Sequence, residues 1–169
     1  MSSLQMKNEG LSLELTLDTD PRLVSITRRF VEQAMEKLVD DADAVFRVAM
    51  AAHELLENAA KYAKDRQARL ALRLGPSEGG GRQVVLTMVN QTSTSHIERL
   101  KQSFSEMNTR DDPYDYYFEL MRRNADDVSI SGLGLARIRA EGEMSLAFDL
   151  VGVDVVIRAT AHIPERRAQ

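Results

Sequence analysis

The chain has 169 residues, the usual size of one domain, and its 43% hydrophobic and 28% charged residues are an ordinary globular balance. It has no cysteine, which excludes a disulfide framework, thiolate metal sites and a cysteine nucleophile. A net charge of −4 and only 5% aromatic residues argue against a general nucleic-acid binder and against a stacking surface for single strands.

No apolar run reaches the length of a membrane span, and the first residues lack an apolar signal core, so the expected compartment is the cytosol. Residues 11–17 alternate leucine with polar side chains, the pattern of a strand with one buried face. Asp20-Pro21 then supplies a helix cap and a first-turn proline. Leu23, Ile26, Phe30, Ala34 and Leu38 follow as one helical stripe, predicting a helix that ends near 39–41. A second helix is predicted over 43–62 and two strands over 68–74 and 83–89, joined by the glycine-rich stretch 75–82. The polar stretch 92–127 predicts two short helices, about 95–107 and 113–123, separated by the turn residues 108–113. A glycine turn at 131–134 opens another short helix. Strands at 143–150 and 154–163 close the chain, with a loose tail at 164–169. There is no internal repeat. This order predicts a single domain over 1–169, with a core of about 11–163. The fold class is α+β, a two-layer sandwich with helices on one face of a mixed or antiparallel sheet.

Two short segments carry chemistry. In Ala52-His-Glu-Leu-Leu-Glu-Asn-Ala-Ala-Lys-Tyr-Ala63, a helix places Glu54, Asn58 and Lys61 on one face at i, i+4 and i+7. A solvated helical face would look similar. Asparagine, however, is a poor helix former, and Asn58 sits inside an alanine-rich helix whose small neighbours Ala59 and Ala60 allow close approach. His53-Glu54 is not a zinc-protease motif, because position 57 is Glu where a second histidine is required. The second segment, Ser131-Gly-Leu-Gly-Leu-Ala-Arg137, puts paired glycines at a helix start, where backbone N–H groups can cradle an anion. It matches neither the dinucleotide fingerprint nor a P-loop.

In this order the two segments resemble the boxes of the GHKL ATPase superfamily, in particular the small bacterial serine kinases and anti-sigma factors of partner-switching systems. Glu54-x-x-x-Asn58 is similar to the family's N box, and Gly132-Leu-Gly134-Leu to its second glycine box. The resemblance implies the Bergerat fold, a layer of helices on a mixed sheet, with ATP held between the helices and a lid. It further implies Mg²⁺ on the Asn58 amide oxygen, a hard ligand suited to that ion. Glu54 would be the general base or would position the attacking hydroxyl. Gly132 and Gly134 would lie at the phosphates, with Lys61 and Arg137 as charge partners. Asn90 stands where the family has the adenine-binding Asp, and Thr92 and Thr94 stand where it has glycines. An Asn oxygen can still accept from the adenine amino group, but an amide discriminates bases less well than a carboxylate. The stretch 92–127 takes the place of the lid. Its aromatics Tyr114, Tyr116, Tyr117 and Phe118 read most simply as core packing of an amphipathic helix.

The implied function is an ATP-dependent serine/threonine protein kinase that phosphorylates a small antagonist protein in a partner switch. The alternative is a non-catalytic interaction module on the same fold, which has lost its nucleotide through the altered first glycine box. A sensor histidine kinase is disfavoured, because no helix carries a suitable phosphoacceptor histidine. The expected partners are a small antagonist or regulator protein and a second copy of the chain in a homodimer, with no nucleic acid and no membrane.

Overall fold

The computed structural model describes residues 10–126 and 132–164. Ser131 of the glycine turn, Asp127 of the insert and all of the 164–169 tail except Pro164 therefore lie outside the described residues. In chain order the elements are β1 (Leu11–Asp18), α1 (Pro21–Glu36), α2 (Ala42–Tyr62), β2 (Gln67–Pro76), β3 (Arg82–Gln91), α3 (Thr94–Asn108), α4 (Pro113–Asp126), α5 (Leu133–Ala140), β4 (Ser145–Val151) and β5 (Asp154–Ile163).

The sheet runs β1-β2-β3-β5-β4. Every pairing is antiparallel, which corrects the mixed sheet that the resemblance implies. β2 and β3 form the expected hairpin. Gly80 and Gly81 take φ of 86° and 72° in its connection, a conformation that glycine adopts without strain. Ala68, Leu70, Leu72 and Leu74 of β2 and Val84, Leu86 and Met88 of β3 turn one face inward. The long apolar face of α2 covers that face, with Val48, Ala52, Leu55, Leu56 and Ala59 buried. The helices and the sheet share one hydrophobic cluster.

Capping explains the helix starts. The Asp20 side chain accepts from the Arg22 N–H at 2.9 Å, Asp41 from the Ala44 N–H at 3.0 Å and Ser93 from the His96 N–H at 3.2 Å. α1 runs to Glu36, and a last turn carries the chain on to Val39, where the Leu38 and Val39 N–H groups share the Met35 carbonyl at 3.0 and 2.9 Å and Val39 is buried.

The stripe read for α1 is corrected. Val24, Thr27, Val31 and Met35 face the core, whereas Ile26 is 63% and Phe30 45% exposed. The helix carries two apolar stripes, and the one through Val24, Val31 and Met35 is the one that faces the core. The strand β1 keeps its alternating pattern, with its leucine face less deeply covered than that of an inner strand. It is an edge strand whose leucines are only half-buried.

α3 and α4 pack on the core rather than standing off it. Leu100, Phe104 and Met107 of α3 are buried, and the Phe104 ring lies 5.4 Å from that of Phe148 in β4. Two carbonyls at and just past the end of α3 are also met from α5. Arg139 donates to the Met107 carbonyl and, at 3.2 Å, to that of Arg110. In α4, Tyr116, Tyr117 and Leu120 are buried while Tyr114, Phe118 and Met121 are exposed, so core packing accounts for only half of the aromatic cluster.

Candidate functional site

A cavity of about 750 Å³ opens between α1, α2, α4 and the start of α5. Six of the residues singled out in the sequence line it: Glu54, Asn58 and Lys61 from α2, and Gly132, Gly134 and Arg137 from the glycine turn and α5. They meet because α5 crosses α2 at the level of Glu54. A Cβ on Gly134 would lie 2.6 Å from Glu54 Oε2, so only glycine lets this carboxylate lie against the α5 backbone. Gly132 caps α5 at φ 104°, with no side chain capping the first turn. Glu54 is 12% exposed, and its Oε1 accepts from Arg137 Nη1 at 3.0 Å. The Asn58 Nδ2 atom is buried with no hydrogen-bond partner among the described residues. A buried unpaired amide is costly, and here it borders a cavity large enough to hold a ligand for it.

Asn90 does not join them. It lies at the end of β3 beside a separate groove of about 190 Å³, with its Nδ2 donating to the Gln91 carbonyl at 3.2 Å. The cause is the path of the chain after β3. The Thr92 hydroxyl donates to the Tyr62 carbonyl at 2.7 Å, and α3 begins two residues later at Thr94. No glycine loop intervenes. The first turn of α3 instead brings the His96 imidazole onto the Tyr62 ring, 3.8 Å between centroids and 17° from parallel. Tyr62 lines the cavity, so this stack is part of its wall.

His96 is 6% exposed and its Nδ1 has no partner. Burial first, then the charges of Arg99 and Lys61, push the imidazole down to about 4. An unfolded histidine takes its proton near 6.5. Between these values the unfolded chain binds the proton and the folded chain does not. The contribution is full above about pH 6.5 and is lost as pH falls toward 4. Urea unfolding should therefore show about 2 kcal/mol less stability at pH 4.5 than at pH 7.5. His96→Phe should flatten that slope, and an equal slope in both proteins would assign it to carboxylates instead.

Sequence reasoning missed the far wall. Tyr117 of α4 lines the cavity, and its hydroxyl donates to Glu141 Oε1 at 2.9 Å. Glu141 Oε2 accepts from Arg137 Nε at 2.7 Å. Arg137 first, then the Tyr117 hydroxyl, holds the Glu141 carboxyl below its usual range, and Glu141 in turn raises Arg137. Burial, then Glu141, pushes the Tyr117 phenol up. The Arg137–Glu141 spacing of four on a helix was a readable signal. That Tyr117 reaches it depends on how α4 folds back, which no local pattern states.

Among the described residues, no group of three or more His, Asp or Glu is arranged to hold a metal ion. No helix there is long and apolar enough to cross a membrane.

No family model matches the sequence, and no curated protein does at a significant level. A search of solved structures, however, finds the architecture elsewhere. The fold is that of a chain in the SiaB–SiaC complex from Pseudomonas aeruginosa. The two superpose with a TM-score of 0.60 over 89% of each chain. Identity is 14%, so the likeness is one of fold.

Proposed function

We propose that the cavity binds Mg-ATP and that the protein is a serine/threonine protein kinase acting on a small antagonist protein in a partner switch. The observation that carries this reading is the contact of Glu54 with Gly134 beside the unpartnered Asn58 amide. Two segments distant in sequence converge on one cavity with a carboxylate, an amide, a cation and an uncapped helix start. The phosphate end fits the group. Asn58 can turn its amide oxygen toward Mg²⁺, which takes hard oxygen ligands and keeps several waters. The α5 N-terminus favours negative charge, and Lys61 lines the same cavity. Bound there, Mg-ATP supplies the phosphoryl group. Glu54 accepts or orients the proton of the attacking hydroxyl, and Gly132 and Gly134 allow close approach of the backbone.

The expected result is heat on titration with Mg-ATP that depends on Mg²⁺ and collapses in Asn58→Ala. Absence of heat up to millimolar concentration would favour the second reading, a binding module without nucleotide. One observation supports that alternative. Asn90 lies outside the cavity, and Thr92 and His96 occupy the chain's path after β3.

The fold shared with a chain of a two-protein complex supports a protein partner. We further propose a cytosolic homodimer built on the half-buried β1 edge and the exposed Ile26 and Phe30 of α1. A monomeric mass by light scattering at tens of micromolar would exclude the dimer.

A further inference from the structure

We propose that Arg137 is a positioning residue through which Tyr117 of α4 sets the Glu54 carboxylate, by way of Glu141. The inference rests on the kinase reading for its purpose but not for its geometry. Three hydrogen bonds run in series across three elements. Tyr117 Oη donates to Glu141 Oε1 at 2.9 Å, Arg137 Nε donates to Glu141 Oε2 at 2.7 Å, and Arg137 Nη1 donates to Glu54 Oε1 at 3.0 Å. Each link uses a different atom, so none competes with the next. Arg137 serves two carboxylates with one charge, a task for a planar fork rather than a point charge.

Both ends of the chain are constrained. At Glu54, Oε2 lies against Gly134, where a Cβ would come to 2.6 Å. The carboxylate is thus pinned between the α5 backbone and Arg137, and its one hydrogen-bonded oxygen is held by Arg137. At the other end the Tyr117 ring is buried, and the exposed Phe118 ring lies 6.0 Å from it. A shift of α4 moves the Tyr117 hydroxyl, the hydroxyl turns Glu141, and Glu141 draws or releases Arg137. While Arg137 holds Oε1, the lone pair it occupies cannot take a proton from a hydroxyl. When an anion in the cavity or Glu141 alone takes the guanidinium, that lone pair is free. The insert therefore reaches Glu54 without itself bonding to it.

The test uses the whole protein labelled with ¹³C and ¹⁵N, with Arg137→Lys used to assign the Arg137 Nε–H signal. Tyr117→Phe keeps the ring and removes one hydrogen bond, and Glu141→Gln keeps the shape and removes a charge. In both, the Arg137 Nε–H should exchange with solvent roughly tenfold faster, and the Glu54 side-chain carboxyl ¹³C signal should move although neither substitution is at a partner of Glu54. A Glu54 carboxyl signal unmoved in both variants, with folded spectra, overturns the relay. A parallel titration with Mg-AMPPNP tests the kinase reading separately. Its failure would end the nucleotide assignment, while the carboxyl signal would still decide the relay.

Discussion

Replacing Glu54 with Gln should lower phosphoryl transfer to the partner by about 10²–10⁴-fold, the usual worth of a positioned general base. The substitution keeps the shape that fits against Gly134 and an oxygen that can accept from Arg137. The fold should therefore survive, and thermal unfolding should move little. Phosphate affinity should hold or rise, because a negative charge leaves a cavity that is to receive negative charge. Radiolabel transfer from ATP under single-turnover conditions separates the two effects. An unchanged transfer rate would remove Glu54 from the chemistry, and a parallel loss of binding and transfer would make it a structural residue only.

The largest effect on stability is expected at a glycine that no motif points to. A Cβ at Gly142 would lie 2.4 Å from the Ile138 carbonyl oxygen and 3.2 Å from both the Ile138 carbonyl carbon and Met50 Cε. The first contact is with backbone that turns the chain out of α5. There the Gly142 N–H bonds the Arg137 carbonyl at 3.2 Å, and the Met144 N–H bonds that of Ile138 at 3.3 Å. Neither side can give way without moving α5 or the buried Met50. Gly142→Ala should cost about 3 kcal/mol, or roughly 6–12 °C of melting temperature for a chain of this size. Two other glycines serve as controls. Gly75→Ala meets open space and should be near neutral. Gly152→Ala also meets open space but sits at φ 62°, and should cost about 1 kcal/mol. Equal melting temperatures for all three variants would show that the α5 exit relaxes freely.

Local chemistry made much of the fold legible. The Asp20-Pro21 cap, the alanine-rich face of α2, the glycine-rich hairpin and the limits of β5 all follow from short-range rules, and the structure bears them out. What failed was the choice between competing faces. α1 has apolar residues on two stripes, and the one spaced most regularly in sequence, through Ile26 and Phe30, is the one left exposed. Propensity and period cannot rank two apolar faces, because packing against α2 decides between them. The site divides in the same way. The α2 and α5 residues were readable because each set sits within about two turns of one helix. Asn90 was placed by analogy of order, and the chain after β3 takes another course through Thr92. Tyr117 belongs to the cavity only because α4 folds back over α5, a long-range fact that leaves no local trace.

The order of the sheet has a consequence for synthesis. β5 lies between β3 and β4, pairing with ten residues of one and seven of the other, yet it is the last of the five strands to be made. Until it leaves the ribosome, β3 and β4 have no common neighbour, and the helices α3 to α5 between them have only half a floor to rest on. At about 5–20 residues per second, the nascent chain carries two open strand edges for a time that depends on how fast the segment from β4 through β5 is translated. A stall before β5 would leave a chain with most of its apolar residues made and its sheet in two pieces, the form in which a chaperone would meet it.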